Sequence, residues 1–574
     1  MKILLKYLKN YKKESVLAPL FKMLEAFFEL MVPLVVADII DNGIAYSDKP
    51  FIFRMTLVLV LLAVVGFLSA LAAQYFSAKA AIGFGSELRS DLFRHINSLS
   101  YSEIDEIGTS TLITRLTSDV NQIQTAVNLF LRLFLRSPFI VFGAVVMAFT
   151  IDVRTAIIFA VAVPVLGAVV FGIMFGSLPV YKKVQTALDR VMKITRENLS
   201  GVRVIRAFNR EEKETEDFRR YSDELQKNQL AGGRLTSFLS PVTFVIVNVA
   251  IIIIIKTGGM RVYSGSLTQG EVVSLINYMS QVLVELIKLA NLIINLTKSM
   301  ASADRIKAVF DKQPSITDEN AAETVSQSEY AVEFEGVSAV YRGSAEKSLN
   351  NFNLKVPKGA SVGIIGGTGS GKTTLVNLIP RFYDVSEGCV KVDGTDVRNY
   401  SLDTLRNKIG VVPQKCALFS GTIRENIRHG KPDASDSEIT EALRISQSMD
   451  FVSKKDGVLD YEILQNGKNL SGGQQQRLTI ARAIVRKPEI LILDDSSSAL
   501  DFATDLALRK ALKTYCENMT VFIVSQRFST IKNSDIIVVL DDGEIAGIGS
   551  HSELFDSCEV YREICLSQMT GGAV

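Results

Sequence analysis

Six runs of about twenty mostly apolar residues crowd into roughly the first three hundred positions of this 574-residue chain. No other feature narrows its fold as far. A run of that length crosses the ~30 Å hydrocarbon core of a bilayer as an α-helix, because a backbone in lipid must satisfy its own hydrogen bonds. The runs cover approximately 16–40, 52–80, 127–150, 154–178, 235–258 and 268–297. An all-α bundle of six transmembrane helices is therefore expected for residues 1–310. The remainder has soluble character, with short apolar runs before helix-favouring stretches. A chain too long for one core then divides into separate units.

Orientation follows from the basic residues. Lys2, Lys6, Lys9, Lys12 and Lys13 precede the first run and belong on the cytoplasmic side, whereas the loop DNGIAYSDKP after it carries two aspartates and one lysine. The opening MKILLKYLKNYKKE is basic and amphipathic and lacks a small-residue cleavage site, so an interfacial helix is expected in preference to a secretory signal. Runs three and four are joined by IDVR, but about 45 residues separate runs two and three and about 55 separate runs four and five. At 1.5 Å per residue, each of these charged stretches makes a helix pair reaching roughly 30 Å into the cytosol. Such extensions suit a membrane domain that must touch something well below the bilayer.

Residues 311–328 (DKQPSITDENAAETVSQS) are polar and read as a linker. Residues 329–574 open on the alternating AVEFEGVSAVY and read as an α/β domain. Within it the strand VGII runs into Gly366, Gly367, Thr368, Gly369, Ser370, Gly371, Lys372, Thr373 and Thr374. Glycines at that spacing let backbone N–H groups curl around phosphates at the positive end of a helix. Lys372 is then placed for the β- and γ-phosphates of a nucleotide, and Thr373 for Mg2+. About 120 residues later EILILDD is a buried strand ending at Asp494, where a second Mg2+ ligand belongs. A further helix opens on Ser471, Gly472, Gly473 and Gln474, again offering N–H groups and a hydroxyl to an anion. Two phosphate loops in one chain suggest ATP bound between two such domains.

The phosphate loop together with LSGGQ (470–474) resembles the ATP-binding cassette (ABC) transporters, and the resemblance covers essentially the whole chain. It implies ATP and Mg2+ as cofactors, and an α/β P-loop nucleotide-binding domain behind the helical one. Tyr341 matches the aromatic that stacks on adenine. Gln414 matches the glutamine that touches Mg2+ and faces the membrane domain, and Ser498-Ala499-Leu500-Asp501 matches the loop that crosses to the partner cassette. Segments 108–120 and 197–212 resemble cytoplasmic loops of ABC exporters, whose coupling helices dock on the cassettes.

Two positions depart from the family pattern. The glutamate that acts as general base after the strand-end aspartate is Asp495 here. Its side chain is one methylene shorter, and a carboxylate misplaced by ~1 Å can slow such a step about 10²-fold. The switch histidine is replaced by Gln526, which can hydrogen-bond a γ-phosphate but does not titrate near neutral pH. Both changes bear on hydrolysis and spare Lys372, Thr373 and Asp494. The chain resembles the degenerate-site subunit of bacterial heterodimeric multidrug exporters. That resemblance implies an ATPase competent mainly with a second, non-identical half-transporter. It also implies export of a small amphiphilic molecule across the bacterial inner membrane, with lipid or peptide export as the alternative.

The sixth run carries a polar stripe of Ser274, Asn277, Gln281, Glu285, Lys288, Asn291 and Asn295, at helical spacing. Such groups are costly against lipid, so they either line a water-filled cavity or bond between helices. Glu25 and Glu29 share a face of the first run, with Lys22 one turn before Glu25. Glu29 is a candidate contact for a cation or a partner for a basic residue on another helix. A net charge of +2 gives no sign of nucleic-acid binding. The five cysteines (Cys389, Cys416, Cys516, Cys558, Cys565) form no CxxC pair and read as reduced thiols, and three scattered histidines make a metal site unexpected.

Overall fold

The computed structural model describes residues 6–318, 328–341, 346–496, 500–515 and 519–570. Lys2, linker residues 319–327, Ser498, Ala499 and Cys516 lie outside them. The chain divides into two units, Met1–Asn97 with Ser110–Asp311 and Ser98–Thr109 with Lys312–Val574.

Helices make up the first unit. Lys49–Ser98, Val153–Ala207 and Gln269–Phe310 run for 50, 55 and 42 residues, against the ~20 that a bilayer requires. Among the described residues, five helical stretches are long and apolar enough to cross a membrane: Lys49–Ser98, Thr109–Ile151, Val153–Ala207, Glu211–Tyr263 and Gln269–Phe310. The first expected span falls in helix Lys12–Asp38, whose apolar sequence is broken by Lys22, Glu25 and Glu29. Its length suits a span, but those charges remove it from a purely compositional count. Along Lys49–Ser98, Phe53, Leu57, Leu61, Phe67 and Leu68 are exposed, a surface stable only with an apolar solvent around it.

Small side chains let these helices approach closely. Ala26, Ala144, Ala148, Ala156 and Ala250 are buried together with Ile140, Phe159 and Tyr278. Pro33 lacks an N–H and so interrupts the ladder of helix Lys12–Asp38. Hydroxyl groups from helix Gln269–Phe310 bond beside that gap: Tyr278 donates to the Leu30 carbonyl at 2.6 Å and Ser274 to the Pro33 carbonyl. Helices Val153–Ala207 and Glu211–Ser237 meet at a turn over Phe208–Arg210, with Asn209 at φ 52°. The expected coupling segment 197–212 is this hairpin tip, with no separate short helix between the two long ones.

The second unit contains a six-stranded sheet in the order Glu544–Gly549, Ile536–Asp541, Ser361–Gly366, Thr520–Val524, Ile490–Asp494, Ile409–Val412. All neighbours are parallel except the first pair. Central strands of such a sheet are covered on both faces and read as continuous apolar runs, as ILIL and TVFIV do. A four-stranded antiparallel sheet is built from Leu349–Pro357, Tyr330–Ala339, Glu387–Val392 and Thr395–Asp396. A helical layer packs Leu418, Ile423, Ile427, Ile439, Leu443 and Leu478.

One short helix, Tyr101–Ile107, groups with this second unit. It begins with a reciprocal cap between Ser100 and Glu103. Tyr383 donates to Asp105 at 2.6 Å, the ring centroids of Tyr101 and Phe382 lie 4.8 Å apart, and Lys312 pairs with Glu106. The exporter-like segment expected at 108–120 therefore follows directly after a docked helix.

Candidate nucleotide site

Strand Ser361–Gly366 delivers the chain into the glycine loop, and helix Lys372–Leu378 leaves it. Gly369 and Gly371 have φ of 88° and 91°, which side-chain-bearing residues rarely adopt. A Cβ on Gly371 would also lie 2.5 Å from the Ser348 carbonyl oxygen. Only glycine closes the loop this tightly. The Lys372 ammonium folds back over it, donating to the carbonyls of Gly366 and Gly367 and to Ser370 Oγ. Burial pushes its pKa down, opposed by the charges of Asp494 and Asp495.

Asp494 is buried at the carboxyl end of its strand and accepts from Thr373 Oγ1 at 3.0 and 3.2 Å. Burial and the neighbouring Asp495 raise its pKa, while the Thr373 hydroxyl and Lys372 lower it. One hydroxyl and one carboxylate side by side are hard oxygen donors that suit Mg2+, which keeps most of its coordination for phosphate and water. The loop, the ammonium and this pair fit a magnesium nucleotide.

Asp495 follows with φ 46°, a left-handed conformation that aspartate tolerates better than most residues. Its carboxyl pKa is raised by burial and lowered by a hydrogen bond from Gln414 and by Arg527 and Lys372. Its carbonyl oxygen accepts from Gln476 Nε2 at 3.3 Å. Gln476 lies in helix Gly472–Ile484, the one that opens on the signature. There Ser471 and Gln474 cap each other reciprocally, and Ser471 and Gly472 are exposed.

The structure thus gathers Gly366, Gly367, Ser370, Lys372, Thr373, Asp494, Asp495 and Gln414 at the ends of neighbouring parallel strands. Tyr341 joins them through a 3.1 Å hydrogen bond between its hydroxyl and Thr374 Oγ1, its ring set edge-on against Tyr383. Gln526 follows strand Thr520–Val524 with an exposed side chain, and its carbonyl accepts from Gln568 at 2.7 Å. Asp501 caps the next helix by accepting from the Thr504 N–H and hydroxyl.

A second cluster lies in the helical unit. A cavity of about 360 Å³ is lined by Glu29, Asn277, Gln281 and Lys288 among apolar neighbours such as Val32 and Val284. Beside it Arg136 bonds Glu285 and Glu29 at 2.6 Å each, Ser137 and Lys288 also donate to Glu285, and Lys22 pairs with Glu25. The polar stripe therefore splits. Ser274 bonds between helices, Glu285 does so while also lining the cavity, Asn277, Gln281 and Lys288 reach the cavity, and Asn295 bonds the carbonyl of Asn291 within its own helix. Sequence reasoning missed Arg136; its signal was the pair of arginines, Arg132 and Arg136, inside the third apolar run.

A phosphate loop on a parallel sheet, in one chain with a lipid-facing helical bundle, defines a nucleotide-driven membrane transporter. The family description "ABC transporter transmembrane region" matches residues 15–286, and "ABC transporter" matches 349–498. The uncharacterized ABC transporter ATP-binding protein YfiB of Bacillus subtilis (strain 168) is 35% identical over 565 residues, 98% of each chain. An ATP-dependent lipid A-core flippase of Desulfotalea psychrophila (strain LSv54 / DSM 12343) is 35% identical over 523 residues, 90% of each. A bacterial Atm1-family ABC exporter with ATP bound shares the fold, with a TM-score of 0.79 at 23% identity over 97% of this chain and 98% of that one. The chain belongs to the ABC transporters, in the exporter arrangement that fuses a transmembrane and an ATP-binding domain, and it is an ATPase coupled to transport.

Proposed function

We propose that this chain is one half of a heterodimeric exporter in the bacterial inner membrane, with its ATP-binding domain in the cytoplasm. Its own site binds Mg2+-ATP through Lys372, Thr373, Asp494 and Gln414, stacks the adenine on Tyr341, and hydrolyses slowly. The observation that carries this reading is Asp495 in the general-base position, with its shorter side chain held by Gln414. Exposed Gln526 supplies no titrating group in compensation. The capped signature at Ser471–Gln474 and the loop at Asp501 serve the site completed with a non-identical partner.

The cargo is a small amphiphile. A cavity with apolar walls and amide groups favours this class, as does a relative in B. subtilis (strain 168), YgaD, named as a candidate multidrug export ATP-binding/permease protein. Lipid export is the second reading, favoured by the flippase named above.

The test is the ATPase rate of the chain alone in lipid nanodiscs. Slow turnover with intact ATP binding is expected, and Asp495→Glu combined with Gln526→His should raise the rate at least about tenfold. Fast turnover by the unaltered chain, indifferent to Asp495→Ala, would overturn the reading.

A further inference from the structure

Strand Thr520–Val524 lies between Ser361–Gly366 and Ile490–Asp494, the strands that deliver the phosphate loop and Asp494. The chain leaving it is gripped from both sides. The Asp495 N–H donates to the Val524 carbonyl, and the Ser525 N–H to the Ile364 carbonyl, each at 3.0 Å. Beyond that point neither ladder continues. Residues 525–527 belong to no strand or helix, so their backbone groups need other partners or water. The Arg527 N–H turns back onto Ser525 Oγ at 3.0 Å.

The next two contacts go to a single side chain. Gln568, on helix Glu559–Thr570, accepts from the Phe528 N–H through Oε1 at 3.0 Å and donates from Nε2 to the Gln526 carbonyl at 2.7 Å. An amide has one acceptor end and one donor end, so one orientation of Gln568 meets both groups. Asparagine has the same two ends on a shorter stem, and ionised glutamate has no donor. The helix itself does not depend on these bonds, because Tyr561 and Cys565 anchor it in a core with Ile531, Ile537 and Leu554. Gln568 is exposed and has no packing duty of its own. What it fixes is the backbone on either side of Arg527, and with it the direction in which Gln526 leaves the chain.

We infer that Gln568 is a positioning residue for the γ-phosphate: its amide holds the loop that aims Gln526, so helix Glu559–Thr570 helps the site tell ATP from ADP. Holding the loop in advance lowers the ordering cost of that contact. The inference rests on the reading of Gln526 as a γ-phosphate contact. It needs no partner chain, since Gln568, Gln526 and the phosphate loop belong to one unit.

The probes are Mg2+-ATP and Mg2+-ADP, titrated calorimetrically against the full-length chain in nanodiscs, and the readout is the ratio of their dissociation constants. Gln526→Ala should reduce the preference for ATP at least about threefold, the scale of one ordered hydrogen bond. Gln568→Ala should reduce it comparably while leaving Mg2+-ADP affinity unchanged. Gln568→Met, similar in length but without the amide, should match it. Adding Gln568→Ala to Gln526→Ala should cost nothing further, because a positioning residue acts only through the residue it positions. Equal weakening of both nucleotides by Gln568→Ala, a fully retained ATP preference, or losses that multiply in the double variant would overturn the proposal and leave the reading of Gln526 standing. The methionine variant decides the same outcomes if the alanine variant fails to fold. An ATP preference indifferent to Gln526→Ala overturns that reading, and this inference with it.

Discussion

Burial acts on Asp494 and Lys372 in opposite directions, raising the carboxyl pKa and lowering the ammonium pKa. Magnesium requires the carboxylate, so its binding must displace any proton held there. Affinity for Mg2+-ATP should therefore fall on acidification at a higher pH than an ordinary aspartate would dictate. The alkaline limb, set by Lys372, should begin below that of a free lysine. The charge of Asp495 is one cause of the raised Asp494 value. Asp495→Asn removes it, so in that variant binding should persist to lower pH. Calorimetric titration of Mg2+-ATP across a pH series checks this. An acid limb that stays put or moves upward would show that Asp494 is not the titrating ligand.

At the scale of elements, one arginine ties three helices together. Arg136, on helix Arg136–Ile151, reaches Glu29 on helix Lys12–Asp38 and Glu285 on helix Gln269–Phe310. Glu285 has 3% of its side chain exposed and Glu29 has 40%. Removing one partner of a buried ion cluster leaves an uncompensated charge and costs roughly 3–5 kcal/mol. Glu285→Ala should therefore lower the Tm of the detergent-solubilised chain markedly, and Glu29→Gln much less. Equal effects would mean that both carboxylates face water. The individual members of this cluster were readable as charges inside apolar runs, but their pairing was not, because Arg136 and Glu285 are separated by 149 residues. Helix Tyr101–Ile107 escaped notice for another reason. It is only seven residues long, and its Ser100–Glu103 cap was the sole local signal. The phosphate loop was fully legible, since its glycines, lysine and threonine act within one turn of chain. The hold of Gln414 on Asp495 spans distant strands and could be found only in three dimensions.

For the molecule as a whole, the distribution of lysine predicts an orientation that can be checked directly. In a background with its own cysteines replaced, a membrane-impermeant maleimide should label Ser47→Cys in intact cells. Leu199→Cys at the hairpin tip should react only after permeabilisation, and the opposite pattern would invert the topology. The division into lipid-facing helices and a sheet-based unit was legible because the two solvents demand different compositions. The hairpin tip was harder, since a turn of three residues leaves little trace in periodicity. One small contact reaches across these scales. Gln476, on the helix that opens with the signature, holds Asp495 by its main-chain oxygen and not by its carboxylate. Mutation can therefore rewrite the side chain at 495 without cutting that tether. Under the function proposed above, a site of this construction ceases to be an engine while its backbone stays joined to the helix that carries the signature.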